Sequence, residues 1–243
     1  MKLFTNGCSF TWGGAIYPSI WDNNGNPLDF YNSDELNIQR INNVWPYHLS
    51  QHLNCDHVNL SIGSGSNDRI VRTTLDYFTK LLVNGQFTTD WVAIIQWTQS
   101  PRFEYWDDEA ECWAMCLPTG SMTESKTDYS YRCHIDKLKN KVYSYYNNKT
   151  YSEKFFHQIC TLANFFNRYK IKYWFTSLDT DAFKHLQKHQ FEYVDKHLNW
   201  LNGPTYNFQN FVEDFHSSGS GHPSLLGHQN IAKNIYNMIS EQI

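Results

Sequence analysis

Met1-Lys2-Leu3-Phe4-Thr5-Asn6-Gly7-Cys8-Ser9-Phe10-Thr11 is the stretch from which the rest of the chain is read. A short apolar strand runs straight into a glycine and a serine, and open α/β sheets present their reactive groups in loops at the carboxyl ends of strands. Ser9 is therefore the first candidate nucleophile. The remaining sequence must then supply further parallel strands, a base, and donors for a developing oxyanion.

It supplies strands that alternate with helices. His57-Val58-Asn59-Leu60 ends in the turn Ser61-Ile62-Gly63-Ser64-Gly65-Ser66, after which Ile70, Val71, Leu75, Phe78, Leu81 and Leu82 recur at helical spacing. A glycine-rich turn ahead of a helix presents backbone N–H groups that suit an anion or an oxyanion. It is not a dinucleotide fingerprint, because Asp68 stands where the third glycine is needed. Asn67 and Asp68 are expected to cap the helix. Trp91 to Trp97 is an unbroken apolar run suited to a central parallel strand covered on both faces. Phe155, Phe156, Ile159, Leu162, Ala163, Phe166 and Tyr169 give one more helix, and Ile171 to Thr176 the next strand. The order predicts one domain over 1–243, a three-layer α/β/α sandwich with a mostly parallel five-stranded sheet in flavodoxin-like order. Insertions fall at about 12–43 and 102–150, after the first and third strands, the second with room for a hairpin.

Composition narrows the function. The formal charge of −4 leaves no broad basic field to collect phosphates, which argues against a nucleic-acid partner. No apolar stretch reaches the length of a membrane span and no secretory leader opens the chain, so a cytoplasmic location is expected. The six cysteines then read as reduced thiols, and Cys112, Cys116, Cys133 and His134 are poorly spaced for zinc. No metal or cofactor is expected. Aromatic residues make up 17% of the chain, enough to fill a core and still line a groove or a lid between Phe103 and Trp113.

The last motif is Gly219-Ser220-Gly221-His222-Pro223-Ser224-Leu225-Leu226-Gly227-His228. It leads into a helix whose stripe carries Leu225, His228, Ile231, Ala232, Ile235, Met238 and Ile239. Pro223 suits a helix start, where its missing N–H has no partner to lose, so His222 sits on the loop just before it. His228, on the stripe, reads as a core histidine. Ser9, His222 and the Gly63–Gly65 turn thus provide a nucleophile, a base and donors, the three parts that acyl transfer needs.

Taken together these stretches resemble the SGNH (GDSL-type) hydrolase family. Gly7-Cys8-Ser9-Phe10-Thr11 is similar to its opening Gly-Asp-Ser block, with Cys8 in place of aspartate. Asn59 through Gly65 resembles its second block, whose oxyanion donor falls on Ser64 or Gly65. His222-Pro223-Ser224-Leu225-Leu226-Gly227 resembles its last block, with Gly219 where the family carries aspartate. The third block, normally Gly-x-Asn-Asp, reads Trp97-Thr98-Gln99-Ser100, so Thr98, Gln99 or Arg102 would take the place of the usual amide donor. The resemblance implies a serine esterase working through a Ser9–His222 dyad, with N–H groups of Ser9 and Ser64 or Gly65 in the oxyanion hole. A backbone carbonyl or Asp214 would orient His222. Small-molecule or carbohydrate esters, short acyl or O-acetyl groups among them, would be substrates. A non-catalytic binding or assembly protein on the same scaffold is the alternative, motivated by the departures at Gly219 and in the third block.

Overall fold

The computed structural model describes residues 1–14, 16, 34–99, 101–108, 111–116, 147–215 and 221–243. The strands are β1 (Lys2–Asn6), β2 (Asp56–Asn59), β3 (Trp91–Trp97), β4 (Phe103–Asp107), β5 (Cys112–Cys116) and β6 (Lys172–Ser177). The helices are α1 (Ser9–Trp12), α2 (Asp34–Ile41), α3 (Trp45–His52), α4 (Asn67–Val83), α5 (Asn148–Arg168), α6 (Lys188–His197) and α7 (Leu225–Ile239).

The main sheet is parallel in the order β2-β1-β3-β6, with Thr5 beside Asn59, Asn6 beside Ile95, and Ile95 beside Phe175. Alternation along β3 explains the layers. Ala93, Ile95 and Trp97 face a core shared with Phe78 of α4 and Ile159 and Phe166 of α5. Val92 and Ile94 face the opposite core, shared with Trp45 and Leu49 of α3 and Ile231 and Ile235 of α7. Every residue of β3 is buried, as a strand covered on both faces requires. The three-layer α/β/α architecture and its flavodoxin-like order are thus as the sequence predicts.

The sheet departs from expectation at its edge. Four strands form it, and the fifth place is filled by isolated parallel bridges from Phe175 to Trp200 and from Ser177 to Asn207. Between those two bridges Asn202 and Gly203 take φ of 61° and 88°, and Pro204 has no N–H to donate. A continuous ladder cannot pass through that turn.

The second insertion contains the hairpin. β4 and β5 pair antiparallel with Trp106 opposite Trp113, and the pair docks on α4. Glu104 takes a two-point grip from Arg72, Nε to Oε1 at 2.7 Å and Nη2 to Oε2 at 2.9 Å. The cap of α4 is also corrected. Ser66, held extended just before the helix, accepts from the Arg69 N–H at 3.2 Å. Asn67 is already helical and its side chain is free to bond elsewhere. Asp68 accepts from Lys154 and Gln158 of α5, each at 2.7 Å.

His228 is a core histidine, as expected. It is fully buried, and its Nδ1 accepts from the Trp45 N–H at 3.1 Å, satisfying one of the orphan donors at the start of α3. Leu225 is not on the buried stripe; it is 45% exposed at the tip of α7. Most of the two insertions lies outside the described residues, as do Gly219, Cys133 and His134. Among the described residues no His, Cys, Asp and Glu cluster suits a metal, and no helix is long and apolar enough to cross a membrane.

Candidate active site

Ser9 stands where β1 hands over to α1, and three side-chain amides hold that turn. Asn6, at the end of β1, accepts from the Gly7 N–H at 2.9 Å and donates to Thr73 and Thr74 of α4 at 2.9 and 3.0 Å. Gln96, buried in β3, accepts at a single oxygen from the Cys8 N–H at 3.2 Å, the Thr11 hydroxyl at 3.2 Å and the Cys8 thiol at 3.3 Å. Asn59 donates to the Thr11 carbonyl at 3.1 Å, and its own oxygen accepts from the Ser61 N–H at 3.1 Å. The turn that bears Ser9 is therefore tied to β2, β3 and α4 by neutral groups. Cys8 is fully buried in this network as a small packed side chain.

His222 arrives from the other end of the chain. Its Nε2 lies 2.8 Å from Ser9 Oγ across 213 residues of sequence, with both side chains half-buried. The loop that carries it is strapped down. The Ser224 N–H donates to the Asp214 carbonyl at 3.1 Å, the Ser224 hydroxyl donates to the Asp214 carboxylate, and Ser224 Oγ accepts from the Gly227 N–H at 3.0 Å to cap α7. Asp214 thus serves the loop and the cap, its carboxylate engaged by Ser224. The Phe10 ring lies against the imidazole, centroids 5.0 Å apart and 34° tilted.

The turn after β2 divides the two oxyanion candidates. The Gly65 N–H donates to the Ile62 carbonyl at 3.2 Å, closing the turn, while Ser64 takes a left-handed φ of 63°. Neither Ser64 nor Ser9, the first residue of α1, has an intramolecular acceptor for its N–H among the described residues. Past β3, Thr98 and Asn67 exchange bonds: the Thr98 N–H donates to Asn67 at 2.9 Å, and the Asn67 amide returns to the Thr98 carbonyl at 3.1 Å. The Thr98 hydroxyl is buried without a partner. Gln99 is exposed, its side-chain oxygen accepting from Arg102 at 3.2 Å.

Sequence reading missed Asn6, Gln96, Phe10 and Gly14. Gln96 carried a usable signal, since a glutamine inside an otherwise apolar central strand must find partners when buried. Gly14 carried one as well, in the pair Gly13-Gly14.

The fold and site define a parallel α/β/α sandwich carrying a Ser–His pair at the carboxyl edge of its sheet. Residues 29–195 match a family described as a family of unknown function, DUF6071, and the chain belongs to it. No curated protein matches the sequence. Among solved structures the chain is similar to an acetyl xylan esterase, Est2A, from the rumen bacterium Butyrivibrio proteoclasticus. The identity is 15% and the TM-score 0.52, over 99% of this chain and 64% of that one. It is also similar to a member of the lipolytic protein G-D-S-L family from Veillonella parvula DSM 2008, at 8% identity and a TM-score of 0.48 over the full length of both chains. At such identity the esterase likeness is one of fold.

Proposed function

We propose that this protein is a serine esterase that hydrolyses a carboxylic ester through Ser9 and His222. The observation that carries the reading is the 2.8 Å contact between Ser9 Oγ and His222 Nε2. A hydroxyl attacks an acyl carbon only when a base within hydrogen-bond reach takes its proton. In the proposed cycle Ser9 Oγ bonds to the carbonyl carbon as its proton passes to His222 Nε2, and the negative oxygen is met by the N–H groups of Ser9 and Ser64. Gly65 is the weaker of the two turn candidates, because its N–H already serves Ile62. Collapse breaks the bond to the alkoxide, which leaves as the alcohol with the proton from His222. Water then attacks the acyl-enzyme, giving its proton to His222, and the acid departs as Ser9 regains its hydrogen.

The substrate class that fits is a small-molecule or carbohydrate ester with a short acyl group, supported by the likeness of fold to an acetyl xylan esterase. Steady-state hydrolysis of a short-chain acyl ester tests the reading. Wild type should turn it over, and Ser9→Ala and His222→Gln should each lower kcat by about 10³-fold or more. No turnover by the wild type across acetyl to butyryl esters, or turnover that survives both substitutions, overturns it.

A further inference from the structure

We propose that Gly14 and Phe10 are positioning residues for the Ser9–His222 pair, so that the turn bearing the nucleophile also fixes where the base stands. Catalytic use of that pair rests on the esterase reading; the placement rests on geometry alone. Gly13 takes φ of 92°, a left-handed conformation that reverses the chain after α1. The reversal brings the N–H groups of Gly13 and Gly14 onto the Ser9 carbonyl, at 2.9 and 2.7 Å. Gly14 is thereby laid against the dyad itself. A methyl group on its Cα would stand 3.0 Å from Ser9 Cβ, 3.0 Å from His222 Cδ2 and 3.1 Å from His222 Nε2. These separations are shorter than the 3.5–4.0 Å or so at which carbon atoms rest, and the methyl would wedge between nucleophile and base.

Phe10 limits the imidazole as well. Its own ring is 8% exposed and is seated against Phe208 in the core, at a centroid distance of 6.4 Å. The imidazole therefore meets a fixed ring from Phe10 and a bare backbone from Gly14, one and five residues past Ser9. The double glycine has two separate tasks: Gly13 turns the chain, and Gly14 leaves room for the Ser–His contact.

The test compares Gly14→Ala and Phe10→Leu with Gly203→Ala. Gly203 has φ of 88° and nothing within 4 Å of an added Cβ, so its variant carries glycine-loss strain without touching the dyad. Gly14→Ala requires Ser9 or His222 to give way by a few tenths of an ångström and should lower kcat by about 10-fold, with KM unchanged. It should also shift the ¹⁵N resonance of His222 Nε2, and Phe10→Leu should do both more weakly. Gly203→Ala should do neither. An unchanged kcat and an unchanged resonance in Gly14→Ala overturn the proposal, as does a Gly203→Ala variant that reproduces both losses. If the wild type hydrolyses no ester, the esterase reading fails on its own, and the His222 resonance still decides the placement. If Gly14→Ala does not fold, Phe10→Leu decides by the same two readouts.

Discussion

Gln96 is among the residues that the sequence reading left out. Its side-chain oxygen collects the Cys8 N–H, the Cys8 thiol and the Thr11 hydroxyl beneath the turn that bears Ser9. Gln96→Leu keeps the volume of an apolar strand residue but leaves the Cys8 N–H and the Thr11 hydroxyl buried without that acceptor. The expected cost is about 1–3 kcal/mol of stability in urea unfolding, with a fall in kcat as the turn loosens. At this scale Ser9 and His222 were legible because each sits in a short local pattern, glycine before the serine and proline after the histidine. The partners of Gln96 were not, since they lie 85 and 88 residues away and only the fold brings them to it. Asp214, which sequence placed near His222, accepts from the Ser224 hydroxyl at the start of α7.

Among the elements, β3, α4, α5 and α7 were legible from unbroken or periodic apolar residues, because each buries a face against a continuous core. The edge of the sheet was not, because a bridge of one residue leaves no period to read. The hairpin was foreseen as an element but not in its attachment. Glu104 has a side chain 2% exposed and meets an Arg72 side chain that is 32% exposed, which also lies over the Trp113 ring at 4.3 Å. Solvent reaches the arginine, so the pair is worth less than a fully buried one. Glu104→Ala should cost about 1–2 kcal/mol. Hydrogen exchange should then quicken at the amides of β4 and β5 while those of β3 stay protected. Equal acceleration in β3 would mean that the hairpin is part of the main cooperative unit.

Across the whole molecule the early and late parts of the chain meet at Ser9–His222 and again through His228, whose Nδ1 accepts from Trp45 across 183 residues. Burial holds the His228 pKa down at about 3 from an ordinary 6.5, with the nearby His48 and His222 adding to the effect. Between those values the unfolded chain binds a proton that the folded chain refuses. Stability is therefore full above pH 6.5 and declines as the pH falls, by about 1.4 kcal/mol per unit, or about 2 kcal/mol from pH 6.5 to pH 5. Burial also lowers the pKa values of His48 and His57, which act in the same direction. Urea unfolding at pH 7 and pH 5 measures the loss, and His228→Gln, which keeps an acceptor for Trp45, should flatten it.

The placement of the site at the carboxyl edge of the sheet followed from chain order alone, because parallel strands put all their outgoing loops on one side. Its chemistry turns on whether Ser9 is nucleophilic. The direct measurement is the intact mass and peptide map of the protein after reaction with a fluorophosphonate. One covalent adduct on Ser9, lost in Ser9→Ala and slowed in His222→Gln, is the expected result. A protein that stays unmodified, or one whose adduct maps to another residue, would contradict it.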